Sequence, residues 1–360
     1  MPCTLGGTMN RRTLTLAARN YVFESVGEYV RANRGTGKLF LHRDFGLEFH
    51  IVKNCLVIGN DAQLLIPVCR DNEVLILEES FAFDHSDDEM RFILMNNFED
   101  RKIVTLAEAV PLFHLYSNNI WHWILECLPK LLVLEKNGYT GPYIVFNSKF
   151  ICEILALFEI PKERILFNDV NYFVKNLVVP QKYTYFWLVD HLDIVNFVRT
   201  NILERTGTLP GHKRIYIQRT SGRRITNEEA VLDVLRNYDF ELVVPQEHSV
   251  CDQFRLMTNV DFSVMAHGAN VILTLTQKHF SNLIEFFSSA YVVYHATPIV
   301  ELLELDYTPL TEFRSTPVVL QHQHNAQFCN ITVPIKQLEV FLKNAIHRNN
   351  KRRSPALQPV

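Results

Sequence analysis

The chain has 360 residues, of which 48% are hydrophobic and 21% are charged, and it contains 15 prolines and 13 glycines. This composition excludes disordered, collagen-like and low-complexity classes, and the length predicts two domains because a domain usually holds roughly 100–200 residues. The formal net charge is −3, so the chain lacks the overall positive field that holds nucleic acid without sequence preference. We therefore expect no nucleic-acid partner.

The N-terminus and the cysteines predict the compartment. The first residues mix charged and polar side chains with apolar ones, and no uncharged apolar run reaches about 18 residues, so we expect neither an export signal nor a membrane span. The seven cysteines are scattered and never spaced as Cys-x-x-Cys, which disfavours a disulfide framework and a zinc knuckle. These features favour a cytoplasmic protein.

The first half of the chain is predicted to change from strands to alternating helices and strands. Short β-prone runs separated by polar breaks between residues 38 and 83 predict a meander with strands at 39–41, 56–58, 64–68 and 74–77. Apolar residues at helical spacing between 121 and 132 then predict a helix. The elements expected after it are strands at 143–146, 164–167 and 177–179 and helices at 152–158 and 193–203.

A second alternating unit follows the break at Gly207, Pro210 and Gly211. It contains predicted strands at 214–218, 241–244, 262–266, 283–287 and 291–294 and predicted helices at 227–237, at 251–259 and from 269 onward. We therefore divide the chain into 1–206, with a β-rich part at 38–83 and an α/β part at 105–206, and 207–334. Two α/β units of similar length predict two Rossmann-like domains that face each other across a cleft.

The C-terminal segment is predicted to be an amphipathic helix at 335–348 followed by a basic tail at 349–360. One interpretation is a packed helix with a solvated tail. The other is peripheral contact with an anionic membrane surface at the inner face of the cell membrane, since basic amphipathic helices bind such surfaces.

Residues 260–270 give the first candidate site. A buried strand ends at Ala266 and is followed by His267, Gly268, Ala269 and Asn270, which open a helix. Free backbone N–H groups and the positive end of the helix would favour a phosphate there, and His267 can donate a hydrogen bond to a phosphate oxygen. A simple turn is the structural alternative.

The loop after the strand at 214–218 gives the second candidate site. Arg219 and Arg224 lie in one strand-to-helix loop, and Thr226 and Glu229 have the spacing of a capping box. Because guanidinium groups bind phosphate oxygens in pairs, the two arginines can neutralise a diphosphate. Ordinary solvated arginines are the alternative.

Residues 118–129 give the third candidate site. His122 and Glu126 are four residues apart, which places both on one face of a helix. A histidine supported by a carboxylate suits a general base, because its ordinary pKa is near neutrality. A core histidine bonded to its own helix is the alternative.

Two further clusters contain groups that can bind metal ions. Residues 87–89 are acidic and fit a solvated helix end, whereas His322 and His324 share one face of a strand without an evident third ligand. We expect no metal site in either cluster.

Three segments, taken in order, resemble glycosyltransferase family sixty-one. They are NNIWHWILECLPKLLVLE, RIYIQRTSGRRITNEEAVLDVL and FELVVPQEHSVCDQFRLMTNVDFSVMAHGANVILTLTQKHFSNLIEFF, and they span residues 118–287. The resemblance implies a GT-B architecture, with an acceptor-side N-terminal domain and a nucleotide-sugar-binding C-terminal domain. It also implies catalysis with neither a cofactor nor an essential metal.

The same resemblance implies a role for each matched residue. The nucleotide sugar would contact Arg219, Arg224, Asn227, Val244, Gln253, His267, Gly268, Ala269, Asn270 and Glu285. Glu285 would hold the ribose hydroxyls, and the backbone near Val244 and Pro245 would meet the base. His122 and Glu126 would be catalytic, with Asn118 and Trp121 on the acceptor side.

The function implied is inverting transfer of a sugar from a nucleotide-sugar donor, with UDP as the expected nucleotide, to a hydroxyl of a glycan or lipid-linked glycan. The expected setting is bacterial capsule or lipopolysaccharide biosynthesis. Two alternatives stay open: a polysaccharide-modifying transferase with another activated donor, such as a pyruvyl donor, and a catalytically silent protein for glycan binding or assembly.

Overall fold

The computed structural model describes residues 49–57, 67–70, 73–76, 103–113, 116–180, 188, 190–311 and 329–353. The chain forms two compact units, Met1–Ile194 and Val195–Val360. The division falls inside the helix Leu192–Thr206, whereas the boundary predicted from the sequence follows that helix. The arrangement of two domains across a cleft stays a prediction.

The first unit contains a seven-stranded mixed sheet in the order β3-β2-β1-β7-β4-β5-β6. Its strands are β1 (Phe49–Val57), β2 (Pro67–Arg70), β3 (Glu73–Ile76), β4 (Ile103–Pro111), β5 (Tyr143–Val145), β6 (Ile165–Phe167) and β7 (Asn171–Pro180). Its helices are a continuous segment, Ile120–Lys136, the α-helix Lys149–Leu157 and the short 3-10 helix Lys162–Arg164. The predicted α/β class is thus confirmed for this unit.

The N-terminal strands β1, β2 and β3 form an antiparallel meander that extends this sheet. β1 pairs antiparallel with β7 from Phe49 opposite Pro180 to Val57 opposite Tyr172, and β2 and β3 continue the antiparallel part. The predicted β-rich part and the α/β part of the first unit therefore share one mixed sheet. Only β7, β4, β5 and β6 form its parallel part.

The parallel strands of the first unit reverse their order beside β4. The chain passes from β4 to β5 and β6 on one side, and then returns to place β7 on the other side. Ligands of α/β sheets bind at such a switch point, outside the carboxyl ends of the strands. The loop after β4 leads directly into the helical segment that carries His122.

The second unit contains a five-stranded sheet in the order β12-β11-β10-β8-β9, and all its neighbouring strands are parallel. The strands are β8 (Lys213–Ile217), β9 (Phe240–Val243), β10 (Val260–Ala266), β11 (Asn282–Phe287) and β12 (Asp306–Thr311). The helices are Glu228–Arg236, Val250–Met257, Thr297–Leu303 and Ile335–Arg353, with 3-10 helices at Pro245–Glu247 and Ala269–Thr276. This is a doubly wound α/β sheet whose order reverses between β8 and β10.

Two local predictions for the second unit are wrong, and a third is right in position but not in the type of helix. Residues 291–294 form no strand, and Tyr291 makes only an isolated bridge with Ser288. The helix after Gly268 is a 3-10 helix. The capping box is absent, because Thr226 Oγ1 contacts the backbone oxygen of Ile331 and the hydroxyl of Thr332 instead of capping the following helix.

The C-terminal helix Ile335–Arg353 is part of the second unit's core. Leu338, Leu342 and Ala345 are buried there, and Arg348 forms a bidentate ion pair with Asp306. The apolar face therefore packs against the protein, as the interpretation of a packed helix predicts. Contact of the basic residues with an anionic surface stays a prediction.

Several sequence predictions lie outside the described residues. These are the strand at 39–41, the acidic cluster at 87–89, the pair His322 and His324, and the tail from 354 to 360. Within the described ranges, no group of three His, Cys, Asp or Glu side chains is arranged to hold a metal ion. Over the same ranges, no helix combines the length and hydropathy needed to cross a bilayer.

Candidate functional site

The fold brings the loop after β8 and the turn after β10 together. The two strands are parallel neighbours, and Ile217 pairs with Met265. Arg219 lies two residues after Ile217, and His267 lies two residues after Met265. Both residues therefore lie side by side just beyond the same edge of the sheet. This edge lies at the point where the strand order reverses, which is the usual place for a ligand in such folds.

Arg219 lies directly over Gly268. Its Nη1 donates to the backbone oxygen of His267 at 3.2 Å, and its Nε donates to the oxygens of Ser221 and Gly222 at 2.9 and 2.7 Å. A Cβ at position 268 would overlap Nη1 and displace this guanidinium, and the φ of 156° at Gly268 also favours glycine. The sequence-predicted pair of Arg219 and the 267–270 turn is therefore brought together.

Two half-buried arginines place positive charge at this edge. Burial and the neighbouring charge of Arg223 lower the pKa of Arg219 to about 10. Burial also lowers the pKa of Arg223, whose guanidinium lies 5.3 Å from the centre of the Tyr291 ring. The protein holds two mutually repelling cations here, and a bound anion would offset that cost.

Arg223, and not Arg224, joins Arg219. Arg224 is exposed, and its backbone N–H donates to Asn330 Oδ1 at 3.0 Å. Arg223 has a positive φ of 44°, which is uncommon for a residue other than glycine. The sequence shows two adjacent arginines, but only the backbone turn decides which one faces the site.

His267 is buried and held through one ring nitrogen. Its Nδ1 lies 2.6 Å from Glu285 Oε1, and its ring stacks on Phe287 and His295 at centroid distances of 4.6 and 5.4 Å. Because an ionised carboxylate only accepts hydrogen bonds, Nδ1 carries the proton of this bond. The other nitrogen, Nε2, is buried and has no hydrogen-bond partner among the described residues.

Glu285 is fully buried, and both its oxygens are engaged by the protein. Oε1 meets His267, and Oε2 accepts a hydrogen bond from the Tyr307 hydroxyl at 2.7 Å. Burial and the adjacent Glu285 carboxylate raise the pKa of Tyr307. This environment suits Glu285 as a residue that orients His267. It suits less well a role in holding ribose hydroxyls, because both carboxylate oxygens already have protein partners.

The third candidate site sits on an irregular part of the helical segment. The segment is α-helical at Ile120–His122, π-helical at Trp123–Cys127 and α-helical again at Leu128–Lys136. Pro129 explains the widened turn, since proline lacks the N–H that would bond to Leu125 and its ring clashes with that carbonyl. Such π-helical turns are frequent at functional sites.

His122 and Glu126 form a pair across this turn. His122 Nδ1 lies 3.1 Å from Glu126 Oε2, with the His122 side chain 12% exposed and the Glu126 side chain 1% exposed. The carboxylate orients the imidazole, whose partial exposure leaves it available to a ligand. The predicted pairing of the two residues is therefore present.

Tyr116 was not predicted from the sequence as a site residue. It has a positive φ of 92°, and its exposed ring lies 5.6 Å from the His122 ring. A strained, exposed aromatic residue beside a candidate base is typical of a ligand site. The sequence alone does not single out Tyr116, because its positive φ is a property of the folded backbone.

Comparison with known families identifies the segment that carries both candidate sites. The model of the family Glycosyltransferase 61 matches residues 120–284. The match covers less than half of the chain, and this segment is similar to the glycosyltransferase 61 family. Among curated proteins, none matches the chain. The family resemblance inferred from the three motifs is therefore confirmed, and it supports an enzyme that transfers sugars.

The glycosyltransferase 61 segment begins within the helix that carries His122 and ends just before Glu285. It includes Arg219, Arg223 and Gly268. Tyr307 and the antiparallel strands of the first unit lie outside it. The match therefore covers both proposed ligand sites but not the whole hydrogen-bonded group around His267.

The remaining predicted residues have varied surroundings within the glycosyltransferase 61 segment. The Asn227 side chain bonds to the backbone of Val333 through both its oxygen and its nitrogen. Gln253 Nε2 donates to the backbone oxygens of Pro245 and His248, which fixes the turn after Val244. These contacts show that Asn227 and Gln253 each stabilise the local backbone, in addition to the predicted role in donor binding.

The other predicted contacts differ in exposure. Ala269 and Asn270 are half-buried at the start of the 3-10 helix, beside Gly268. Asn118 is exposed in the turn before the helical segment, whereas Trp121 is buried in the first unit. Asn118 is thus accessible to an acceptor, and Trp121 contributes mainly to packing.

Proposed function

We propose that the protein is an inverting glycosyltransferase that uses a nucleotide-sugar donor, with UDP as the nucleotide, and a hydroxyl of a glycan as acceptor. The observation that carries this proposal is the guanidinium of Arg219 over Gly268, beside half-buried Arg223. The position of this pair at the switch point of a parallel sheet supports a diphosphate as the anion.

The arginine pair would stabilise the leaving nucleoside diphosphate. Negative charge grows on the diphosphate as its bond to the sugar breaks, and fixed cations stabilise that charge most strongly where water is excluded. Both arginines are partly desolvated before a ligand binds. They would supply positive charge in the role that a divalent ion has in other transferases, so we propose catalysis without an essential metal.

His122 would act as the general base for the acceptor hydroxyl. Its imidazole is partly exposed, whereas Glu126 is almost fully buried behind it. In a single displacement, the hydroxyl oxygen attacks the anomeric carbon, its proton passes to His122, and the diphosphate leaves from the opposite face. This sequence inverts the configuration of the sugar, with Glu126 as the orienting residue.

The proposed setting is the cytoplasm of a bacterium that builds capsule or lipopolysaccharide. The acceptor would be a glycan or lipid-linked glycan. The exposed residues His347 and Arg348 begin the basic end of the C-terminal helix, which would contact anionic lipid headgroups electrostatically without inserting.

The test is incubation with uridine, guanosine, cytidine and thymidine diphosphate sugars, with and without a chelator. We expect one nucleotide family to raise the melting temperature and to release its nucleoside diphosphate when an acceptor is supplied. The chelator should change neither result. Stabilisation by none of the four families would contradict the proposal and favour another activated donor or a silent binding protein.

A further inference from the structure

A chain of hydrogen bonds crosses three neighbouring strands at the proposed nucleotide site. Tyr307 on β12 donates to Glu285 on β11 at 2.7 Å, and Glu285 contacts His267, which follows β10, at 2.6 Å. The strands are parallel neighbours in the order β12-β11-β10. The three side chains are therefore held by the most regular part of the second unit.

The Tyr307 hydroxyl satisfies the oxygen of Glu285 that His267 does not reach. His267 and Glu285 are almost completely buried, and a buried carboxylate oxygen without a partner is costly. Removing the hydroxyl would free the carboxylate to rotate or to bond elsewhere. The hydrogen bond between the Glu285 carboxylate and His267 Nδ1 would then weaken.

The orientation of His267 decides where its second nitrogen points. Glu285 accepts from Nδ1–H, so the buried Nε2, which has no partner among the described residues, is the nitrogen left to donate to an anionic ligand when it also carries a proton. Arg219 bonds to the backbone oxygen of the same histidine. A ligand held by Arg219 would therefore lie close to the His267 residue.

We propose that Tyr307 is a positioning residue, which acts through Glu285 to orient the doubly protonated His267 ring so that its Nε2–H donates a hydrogen bond to an oxygen of the bound nucleoside diphosphate. This inference rests on the proposed function, because it takes the ligand to be a nucleoside diphosphate. It extends the site beyond the matched family segment, which ends before Glu285.

The second unit contains a matched control for this contact. Tyr216 donates to Glu228 at 2.7 Å, and its side chain is buried, whereas Tyr307 is half-buried. Glu228 bonds to Gln218 and to no histidine among the described residues. Tyr307→Phe and Tyr216→Phe therefore each remove one hydroxyl from a tyrosine–glutamate hydrogen bond, and of the two glutamates only Glu285 contacts His267.

The experiment compares both variants with the unchanged protein by two measurements. Proton NMR of the ligand-free proteins follows the His267 Nδ1–H signal, which a short bond to a carboxylate moves far downfield and which is assigned by its loss in His267→Gln. Titration with UDP measures the dissociation constant. We expect Tyr307→Phe to shift the signal and to weaken UDP binding about tenfold, and Tyr216→Phe to do neither.

Three results would overturn the inference. They are an unshifted signal in Tyr307→Phe, a shifted signal with unchanged UDP affinity, and equal effects of the two substitutions. If the unchanged protein binds no nucleoside diphosphate, the proposed function fails. The NMR signal still decides, by itself, whether Tyr307 acts on His267.

Discussion

The Arg219 guanidinium occupies the space where a side chain at position 268 would lie, with Nη1 overlapping the site of a Cβ. The relationship joins the arginine loop after β8 to the turn after β10. It explains in steric terms why a glycine follows His267. The same contact holds the cation at the edge of the sheet where the diphosphate is proposed to bind.

Replacement of Gly268 by alanine should displace Arg219 and weaken UDP binding. We expect a loss of about 1–3 kcal/mol in binding free energy, the range for a charge-assisted hydrogen bond, measured by calorimetric titration. Gly138→Ala is the control, because Gly138 has a positive φ of 74° and open space around it. An unchanged UDP affinity in Gly268→Ala would show that UDP binding does not depend on this position of Arg219.

Replacement of His122 by alanine should abolish sugar transfer and leave UDP affinity within about twofold. A general base contributes roughly 10²–10⁴-fold to a rate and contacts the acceptor instead of the diphosphate. Glu126→Gln should reduce the transfer rate less than His122→Ala does, since it removes only the charge that orients the imidazole. The measurements are the turnover number and the UDP dissociation constant, with the exposed His347→Ala as control. A parallel loss of UDP binding would refute the assignment.

Raising the pH should weaken UDP binding as Arg219 loses its proton. The pKa of Arg219 lies at about 10, below its ordinary value, because the side chain is partly buried and Arg223 is near. The guanidinium is charged below that pH and attracts phosphate, and the attraction disappears above it. Titrations between about pH 8 and about pH 11 should show this loss in the unchanged protein and not in Arg219→Gln. Identical pH dependence in both proteins would exclude Arg219 as its source.

The sequence predicted the second unit well where strands are buried. β8, β10 and β11 are apolar and lie inside the sheet, so their residues show a clear β pattern. β12 was missed because it is polar and contains Pro309, which a strand at the sheet edge tolerates. β4 was missed because its first six residues, which end at Glu108, alternate between exposed and half-buried positions, and only its last three residues are buried.

The candidate site was predictable in outline only. The turn at Gly268 and the pair His122 and Glu126 follow from motif and spacing. The choice of Arg223 over Arg224 depends on a left-handed backbone turn that no pattern of side chains reveals. Tyr307 was missed because it is distant in sequence and meets Glu285 only through the pairing of β11 with β12.

The most direct test of the account is UDP titration of Arg223→Ala and Arg224→Ala in the presence of a chelator. The two arginines are adjacent in sequence, but Arg223 is half-buried beside Arg219, whereas Arg224 is exposed. The account predicts that Arg223→Ala weakens binding at least tenfold and that Arg224→Ala leaves it within about twofold. The reverse order, equal effects, or no UDP binding by the unchanged protein would contradict the proposed diphosphate site.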